Sequence, residues 1–377
     1  MEEPIRVAHI MGKMISGGVE SVVMNYYKNI DKTKVQFDFI VDEDSTHIPL
    51  EEIEGMGGKV IIVPPYQNIR SYVKSLKQIF KNENYKIVHS HLNALSIIPL
   101  YAAKKSNVSV RIAHSHSTTN KKEWKKNLIK NILKMFSKIY PTNYFSCSEL
   151  AGRWLFGNKL YNSGQVKVLN NAIDLDRFDY NEEIRSEMRK KLDIEDRFVI
   201  GHVGRFVKQK NHLKLINIFY EIYKKDNNAV LILIGDGPLL PVIKEKVENL
   251  LINENVIFLG IREDINELMQ AMDVFLFPSL YEGLGMVLIE AQSIGIPCIT
   301  STEVPKEAKI TGIIEFLSLD KEDTYWANKV LEKKMSYIRK SYGQEVSLSG
   351  YNIKQEAKNL EKKYYELLND LKNKNIE

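Results

Sequence analysis

The sequence predicts an α/β fold with two doubly wound parallel sheets in series. Short apolar, β-branched runs alternate with longer amphipathic segments along the chain, a pattern typical of parallel strands joined by crossover helices. Most runs are apolar at every position, as expected for strands buried on both faces. The alternation begins again near residue 198, and the length of 377 residues suits two domains of ~100–200 residues each.

The first half of the chain contains a series of predicted strands, with helical patterns such as Val19–Asn29 and Tyr72–Lys81 between them. The predicted strands are Ile5–Met11, Phe37–Val41, Val60–Pro64, Ile87–His91, Val110–His114, Tyr144–Cys147 and Val166–Leu169.

The second half repeats this architecture. We expect the joint between the halves near Asn170–Asp196, where the alternation of strands and helices stops. The tail Ile353–Lys374 is predicted to be a charged helix with an apolar stripe. The predicted strands are Phe198–Val203, Ala229–Ile234, Val256–Leu259, Val274–Phe277 and Pro297–Thr300.

The composition excludes several classes of protein. Only two cysteines occur, Cys147 and Cys298, so there is no disulfide framework and no zinc-ligand spacing. No apolar run approaches the ~18–20 residues that cross a bilayer, and acidic residues stand where a signal peptide has basic ones. We therefore expect a cytoplasmic protein. The net charge of +5 permits an anionic ligand without identifying it.

Two loops at predicted strand ends carry features of phosphate sites, since ligands of open parallel sheets bind at the carboxyl ends of strands. Gly17 and Gly18 precede a helix, and without side chains they let backbone N–H groups approach an anion. The alternative is a tight turn that needs positive φ. The fingerprint Gly-x-Gly-x-x-Gly of dinucleotide-binding folds is absent.

The second loop follows Phe198–Val203. Arg205 offers a planar fork for phosphate oxygens and Lys210 a mobile point charge, which together suit a diphosphate. Asn211 is a residue type that caps helices well. The alternative is a solvated basic loop.

A third stretch contains Glu282 and Glu290. Glu282 falls in a glycine-bearing turn, and Glu290 lies within a helix whose preceding residues are apolar. Burying a carboxylate costs several kcal/mol unless it is paired, so Glu290 is a candidate ligand-binding residue. A carboxylate accepts two hydroxyl hydrogen bonds, as sugar and ribose diols require. The alternative is that Glu282 is an acid that caps the helix and Glu290 is a salt-bridged acid of the helix.

These motifs, taken in order, resemble those of the retaining family 4 glycosyltransferases with the GT-B fold. Two glutamates with seven residues between them, after Pro278 and before Pro297, form the most specific segment. The exopolysaccharide and capsule branch looks closest, from residues 112–117 and 303–307. Further matching segments are residues 16–20, 87–91, 170–178, 201–206, 235–238 and 260–264.

The resemblance implies two Rossmann-like domains that face each other across a cleft. The N-terminal, acceptor-side domain is expected at residues 1–172, with the C-terminal helix 351–377 crossing back to it. The nucleotide-sugar-binding domain is expected at residues 173–350.

The resemblance also implies a role for each matching residue. Arg205 and Lys210 hold the donor's diphosphate, and Gly18 contacts its distal phosphate. Glu290 binds the ribose hydroxyls, and Glu282 binds hydroxyls of the donor sugar. The implied catalytic residues are His116, Arg205, Lys210 and Glu282. The implied donor-binding residues are Gly17, Gly18, Arg205, Lys210, Gly235, Arg262, Glu282, Gly283, Leu284, Gly285 and Glu290.

Within this implied set, His116 matches the cleft histidine near the donor sugar, and Gly235–Pro238 and Ile261–Arg262 border the base. Two segments depart from the family's pattern. Asn170-Asn171 replaces Asn-Gly, which affects only turn geometry because asparagine tolerates the left-handed region. Residues 302–306 replace the usual Gly-Gly-x-x-Glu, so phosphate contacts from this loop are in doubt.

The pairs His89/His91 and His114/His116 also permit a metal interpretation. Residues i and i+2 of a strand share a face, but no carboxylate or cysteine follows at ligand spacing. We expect polar contacts and no metal.

Residues 121–140 form a basic amphipathic segment with seven lysines and one glutamate. Such a segment can be a helix that lies on an anionic membrane. The alternative is an ordinary surface helix whose apolar face packs on the core. We expect peripheral contact with the inner face of the cell membrane and no nucleic-acid binding, because no nucleic-acid motif accompanies the charge.

The expected reaction transfers a sugar from a nucleotide sugar to a hydroxyl of a lipid-linked saccharide acceptor, with retention of configuration. The family resemblance favours UDP as the nucleotide. The resemblance implies no obligatory cofactor or metal. The alternatives are a GT-B sugar-nucleotide epimerase or phosphorylase, and a non-catalytic nucleotide-sugar-binding partner of a polysaccharide assembly complex. A pyridoxal lysine motif, which a phosphorylase requires, is absent from the sequence.

Overall fold

A computed structural model describes residues 3–15, 17–116 and 133–374, apart from the side chains of residues 335–336 and 371–374. The chain forms two compact units. One contains the chain up to Ala172 together with the segment from Gly350 onward, and the other spans Ile173–Ser349.

The first unit is built on a seven-stranded, all-parallel sheet with the strand order β3-β2-β1-β4-β5-β6-β7. Its strands are β1 (Ile5–Gly12), β2 (Val35–Asp42), β3 (Lys59–Val63), β4 (Ile87–Ser90), β5 (Val110–Ser115), β6 (Asn143–Ser146) and β7 (Val166–Val168). Its helices before residue 172 include α1 (Gly18–Asn29), α2 (Leu50–Gly55), α3 (Ile69–Asn82), α4 (Ile97–Lys105), α5 (Glu149–Phe156) and α6 (Asn158–Asn162).

Helix α3 illustrates how local sequence produces these elements. The Asn68 side chain accepts a hydrogen bond from the Ser71 N–H at its start, as a capping residue does. Tyr72, Leu76 and Phe80 recur at intervals of four residues and are buried. This apolar stripe covers one face of the sheet.

The second unit repeats the design with a six-stranded sheet in the order β10-β9-β8-β11-β12-β13. Its strands are β8 (Phe198–Val203), β9 (Ala229–Ile234), β10 (Val256–Gly260), β11 (Val274–Phe277), β12 (Cys298–Ser301) and β13 (Ile314–Leu317). Its helices are α7 (Glu182–Lys191), α8 (His212–Tyr223), α9 (Leu240–Asn249), α10 (Ile265–Gln270), α11 (Met286–Ser293), α12 (Asp323–Ser336) and α13 (Gly343–Val346). All its strand pairs are parallel, and the predicted fold class is therefore confirmed.

The strand β13 was not predicted from the sequence. It is short, it carries Glu315, and its middle residues are only half-buried, because it lies at the edge of the sheet. An edge strand lacks the continuous apolar pattern of a central strand.

The tail helix α14 (Ile353–Lys374) belongs to the first unit. Ala357, Leu360 and Tyr364 are buried in the same core cluster as residues of β1, β2 and α1. The join to this helix is tied by Asn170, whose Nδ2 donates to the Gly350 carbonyl at 3.0 Å. Neither Asn170 nor Asn171 has a left-handed φ, so the tolerance of asparagine for that region is not used here.

Each sheet has one point where the strand order reverses direction, between β1 and β4 in the first unit and between β8 and β11 in the second. The loops that follow these strands are the expected ligand-binding positions of a doubly wound sheet. Among the helices of the described part of the chain, none is long and apolar enough to cross a membrane.

Candidate active site

The loop after β8 places its two predicted phosphate-binding cations in different surroundings. Arg205 is exposed, and its guanidinium forms no hydrogen bond or ion pair with the residues that the structure describes. Lys210 lies in a short 3-10 turn, Lys208–Lys210, and its side chain is 17% exposed. One cation is therefore free in solvent, and the other is held.

Glu282 holds Lys210. The Lys210 Nζ lies 2.8 Å from Glu282 Oε1, and the Gln209 Nε2 donates to Glu282 Oε2 at 3.1 Å. The Glu282 side chain is only 7% exposed. Both carboxylate oxygens are thus engaged by the preceding loop, an interaction that the sequence did not predict. Removing one partner of so buried a pair leaves an uncompensated charge, at a cost of about 3–5 kcal/mol.

Backbone and aromatic contacts join the same two loops. The Leu280 N–H donates to the Gln209 carbonyl at 2.8 Å, and the Asn211 Nδ2 donates to the Pro278 carbonyl at 3.1 Å. The Lys210 Nζ lies 4.5 Å from the centre of the Phe277 ring, a distance at which the ring face attracts a cation. These contacts join the loops after β8 and β11.

Asn211 corrects a detail of the sequence interpretation. It stands at the N-cap position of α8, but its side chain makes no capping hydrogen bond, and its φ of 55° is left-handed. Its amide instead bridges the two loops through Pro278. The side chain therefore positions the site rather than the helix end.

Glu290 lies on α11 beside the buried residues Leu288 and Ile289. Its carboxylate has no hydrogen bond or ion pair with any residue in the described ranges. Desolvation raises the pKa of Glu290 to about 7, an effect that Arg177 partly offsets. A carboxylate with unused acceptors, in a partly buried position, is suited to accept hydrogen bonds from a diol.

The turn before α11 depends on glycine. Gly285 is the N-cap of the helix with φ of 81°, a conformation that other residues rarely adopt. Leu284 is 6% exposed and is buried in the core. A Cβ added to Gly283 would meet nothing within 4 Å, so open space surrounds this backbone position and a ligand could approach it closely.

Gly235 serves packing. It has φ of 134°, and an added Cβ would lie 2.3 Å from the Gly204 carbonyl oxygen. The Phe206 N–H donates to the Asp236 carbonyl at 2.9 Å. The Gly235–Pro238 loop is therefore pressed against the backbone on either side of Arg205, which fixes the course of the cationic loop.

Arg262 is paired locally. Its Nε donates to Asp264 at 2.8 Å, and its Nη2 donates to the other oxygen of the same carboxylate at 2.5 Å. This pairing raises the pKa of Arg262 and lowers that of Asp264. The structure brings Arg205, Lys210 and Glu282 together around one pair of loops, whereas Arg262 follows β10 with its own partner.

In the first unit, Gly17 and Gly18 begin α1. Gly17 has φ of −94° and ψ of 175°, so the alternative of a turn that needs positive φ is wrong for this residue. The Ile15 N–H donates to Glu20 Oε1 at 3.1 Å, and an added Cβ on Gly17 would lie 2.5 Å from Glu20 Oε2. Gly18 has open space where a Cβ would stand.

His116 belongs to a group of five histidines that lie on or directly after β1, β4 and β5, called the histidine cluster below. His9 and His89 are paired in the register of β1 and β4. Only one of these imidazoles was a predicted site residue. The cluster consists of His9, His89, His91, His114 and His116.

Hydrogen bonds link the cluster in two chains. In the first, His9 Nδ1 lies 2.9 Å from His91 Nε2, and His91 Nδ1 lies 2.8 Å from His116 Nε2. In the second, His114 Nδ1 lies 3.0 Å from His89 Nε2. His89 Nδ1 lies 2.8 Å from the Tyr364 hydroxyl on α14, a contact 275 residues distant in sequence.

Burial keeps these imidazoles neutral. Desolvation lowers the pKa of His9 and of His116 to about 3. It also lowers the pKa of His89, His91 and His114 well below the ordinary value, with a smaller contribution from neighbouring histidines. The alternation of histidines along β4 and β5 predicted a shared face, but nothing in the local pattern marked His9 or Tyr364 as members.

Comparison with known proteins agrees with this architecture. A model described as Glycosyltransferase Family 4 matches residues 16–177, and one described as Glycosyl transferases group 1 matches residues 184–315. The chain is 36% identical over 332 residues to EpsF of Bacillus subtilis (strain 168), which bears a glycosyltransferase name; the match covers 86% of each chain.

More distant relatives also carry transferase names. The UDP-Gal:alpha-D-GlcNAc-diphosphoundecaprenol alpha-1,3-galactosyltransferase of Escherichia coli is 27% identical over 316 residues, which is 79% of each chain. The crystal structure of Anabaena Alr3699/HepE in complex with UDP superposes with a TM-score of 0.76 at 16% identity, covering 96% of this chain and all of that one, 100%.

Two doubly wound, all-parallel units and the likeness to this solved structure define the GT-B fold. The chain belongs to glycosyltransferase family 4, and it is an enzyme of the transferase class.

Proposed function

We propose that the protein transfers a sugar from a UDP-sugar to a hydroxyl of a lipid-linked saccharide, with retention of anomeric configuration, in polysaccharide or capsule synthesis. The observation that carries this proposal is the joined pair of loops after β8 and β11, with a held cation, a free cation and a free carboxylate on the following helix. UDP is supported by the Anabaena neighbour's complex with UDP. Capsule synthesis is supported by CapH of Staphylococcus aureus, named for capsular polysaccharide biosynthesis and 28% identical over 298 residues.

In this proposal the two cations act on the leaving group. Lys210 and Arg205 stabilise the charge that develops on the nucleoside diphosphate as the sugar departs, as preorganised cations do in a site of low dielectric. Glu282 and Gln209 keep the Lys210 ammonium in one place. Because these contacts position Lys210 before the donor binds, we expect little reorganisation during the reaction.

Glu290 is proposed to bind the ribose. Its carboxylate accepts both hydroxyls of the 2′,3′-diol, and binding stabilises the charged form, because hydrogen bonds to a carboxylate lower its pKa. Both oxygens of Glu282 are engaged by Lys210 and Gln209. A sugar hydroxyl that donates to Glu282 would share the carboxylate with these two residues. We therefore expect Glu282 to act through Lys210 as a positioning residue.

The lipid-linked acceptor is supported by the undecaprenol-linked substrate in the name of the Escherichia coli relative. Residues 121–132 of the predicted basic helix lie outside the described residues. The described remainder exposes three large apolar side chains, Met135 at 73%, Phe136 at 43% and Ile139 at 53%. Lys134 and Lys138 stand among them in the sequence, a combination suited to an anionic lipid surface.

The transferase activity is tested with radiolabelled sugar nucleotides and membrane extract as the acceptor source. We expect incorporation into lipid by the wild type and its loss in the double variant Arg205→Ala/Lys210→Ala. Incorporation unchanged in that variant would contradict the proposal. Donor binding by the wild type without turnover of any donor would instead support a non-catalytic binding partner.

The membrane contact is tested separately by sedimentation with anionic liposomes. A variant with Lys121, Lys122, Lys125 and Lys126 changed to Glu is expected to remain in the supernatant, while the wild type sediments. Equal sedimentation of the two proteins would refute membrane contact and would leave the transferase proposal standing.

A further inference from the structure

The histidine cluster has more ring nitrogens than it has internal partners. Among the residues that the structure describes, three buried nitrogens have no hydrogen-bond partner: His9 Nε2, His114 Nε2 and His116 Nδ1. Leaving a buried polar group unpaired costs about 1–3 kcal/mol each, so the cluster is incomplete as a purely structural network.

Tautomers cannot complete the first chain. A neutral imidazole has one N–H and one bare nitrogen. If the N–H groups point from His9 through His91 to His116, then an N–H is left over at His116 Nδ1. If they point the opposite way, an N–H is left over at His9 Nε2. In either direction one end carries a donor without an acceptor, and the other end carries a lone pair without a donor.

Neutral imidazoles that lie close together are suited to bind a transition-metal ion. One nitrogen from each of His91, His114 and His116 lies within 4.8 Å of the others. Nitrogens bound to one tetrahedral zinc at about 2.0–2.1 Å lie somewhat closer together, so small side-chain rotations suffice. Imidazole suits zinc, copper and nickel, whereas magnesium and calcium prefer oxygen ligands.

The remaining two histidines stand where the outer partners of metal ligands are found. A ligating histidine nearly always donates its other ring N–H to a nearby acceptor, which fixes the tautomer. His114 has free Nε2, and its Nδ1 faces His89 at 3.0 Å. His91 has its Nε2 2.9 Å from His9 Nδ1. These contacts leave His114 Nε2 without a partner, whereas His91 Nδ1 is hydrogen-bonded to His116 Nε2 at 2.8 Å, so the ion would replace that hydrogen bond.

We propose that His91, His114 and His116 form a three-histidine site for a first-row transition-metal ion, Zn²⁺ foremost, with His9 and His89 as its outer hydrogen-bonding partners. A second triad, His9, His89 and His91, has the same spacing, but it contains one free nitrogen rather than two. His116 is also partly exposed, whereas the second triad is fully buried. The first triad therefore has two unpartnered nitrogens and one partly exposed member.

Three ligands come from the described residues, which leaves one position of a tetrahedral ion for water or an anion. An ion on His116 also removes this imidazole from the catalytic role that the sequence predicts. Metal binding is accordingly expected to lower sugar transfer. This consequence rests on the proposed function, whereas the binding of the ion does not.

The experiment uses untagged, full-length protein that has been treated with a chelator and dialysed. Titration with ZnCl₂ by calorimetry is expected to show one equivalent of tight binding, and Co²⁺ is expected to give the intense visible bands of a tetrahedral site. His114→Gln and His116→Gln are each expected to weaken Zn²⁺ binding at least tenfold. His89→Gln should weaken binding about 10–100-fold as an outer partner.

The matched control is His212→Gln in the second unit. His202 and His212 also form a close buried pair, with ring centres 4.8 Å apart, and both nitrogens of His212 are unpartnered in the described structure. They form no group of three ligands there, so the control should bind Zn²⁺ as the wild type does.

Two results would overturn the proposal: no saturable Zn²⁺ or Co²⁺ binding by the wild type, or binding by His116→Gln that equals the wild type. His116 is the partly exposed member, so its substitution tests the site even where His114→Gln fails to fold. A third result separates the two proposals. If His116→Gln loses Zn²⁺ binding but Zn²⁺ does not lower sugar transfer by the wild type, the catalytic role of His116 is contradicted and the metal site stands.

Discussion

The strand ends of the first unit and those of the second occupy the same place in two sheets of one design, yet they hold opposite chemistry. After β8 and β11, a lysine and a glutamate form an ion pair at 2.8 Å. On and directly after β1, β4 and β5, five imidazoles lie together, and burial holds their pKa values low. Burial with a charged partner preserves charge, and burial without one removes it.

Different kinds of contact hold the two sites together. The second unit uses one ion pair and a set of loop-to-loop hydrogen bonds, so its geometry depends on a few strong contacts. The first unit uses weaker bonds between neutral rings and a tyrosine of the tail helix. Substitutions should therefore have large effects in the second unit and small effects in the first.

The largest effect is expected for Lys210→Ala. It removes the held cation and leaves the buried Glu282 carboxylate unpaired. Loss of one preorganised group that stabilises developing charge typically lowers kcat by ~10²–10³-fold, and we expect this range in the transfer assay. Lys208→Ala is the control, since this exposed lysine lies in the same turn. Equal losses in both variants would show that the loop needs only net positive charge.

Gly235→Ala should have the next largest effect. Its Cβ would meet the Gly204 carbonyl oxygen, and its φ of 134° is unfavourable for alanine. We expect the free energy of unfolding to fall by about 1–3 kcal/mol, with weaker donor binding because Arg205 follows Gly204. Urea unfolding and donor titration measure these effects. Gly283→Ala, in open space at the other loop, should leave stability nearly unchanged; a loss equal to that of Gly235→Ala would contradict the packing argument.

Glu290→Gln tests the unpaired carboxylate. Burial raises its pKa from 4.5 to about 7 in the folded protein, so the protonated form stabilises the fold. That stability is fully present below about pH 4.5 and is lost as pH rises through about 7. The variant should therefore exceed the wild type at pH 8 by roughly 1–3 kcal/mol in the free energy of unfolding, and match it at pH 4. It should also bind donor more weakly.

Urea unfolding between pH 4 and pH 8 checks this prediction, with Glu245→Gln on an exposed position of α9 as the control. A variant that is less stable than the wild type at pH 8 would mean that the Glu290 carboxylate has a favourable partner in the folded protein.

The smallest effect is expected for Tyr364→Phe. It removes the hydroxyl 2.8 Å from His89 Nδ1 and keeps the packing of the ring. The loss of one neutral hydrogen bond should lower the free energy of unfolding by about 1 kcal/mol. Tyr325→Phe at a site 40% exposed is the control. If Tyr364→Phe lowers the free energy of unfolding as much as Gly235→Ala does, the hydrogen bonds of the histidine cluster contribute as much stability as the contacts of the charged loops.

Local patterning was sufficient for much of the fold. The apolar runs located the central strands to within one or two residues, and Phe198–Val203, Ala229–Ile234 and Val274–Phe277 coincide with the structure. The tail helix Ile353–Lys374 coincides as well. These elements could be predicted because a fully buried strand and an amphipathic helix each have a repeating pattern of their own.

The candidate site was predicted residue by residue, but not its contacts. Arg205, Lys210, Glu282 and Glu290 were singled out by charge at strand ends and by an acid in an apolar helix, and their roles stay predictions. The partnership of Lys210 with Glu282, 72 residues apart, was missed because sequence gives no distance between loops. The same reason kept Gln209 out of the predicted set.

Residue type and periodicity thus established the fold class, the order of the elements and the residues available for chemistry, since these depend on neighbours in the chain. Long-range pairing decided the rest. The edge strand β13 is defined by its pairing with β12, and Gly235 is required by a backbone from another loop. The strand order β2-β1-β4-β5 brought His9 beside His91, which is 82 residues away. Such contacts depend on which surfaces meet after folding, and no local pattern specifies them.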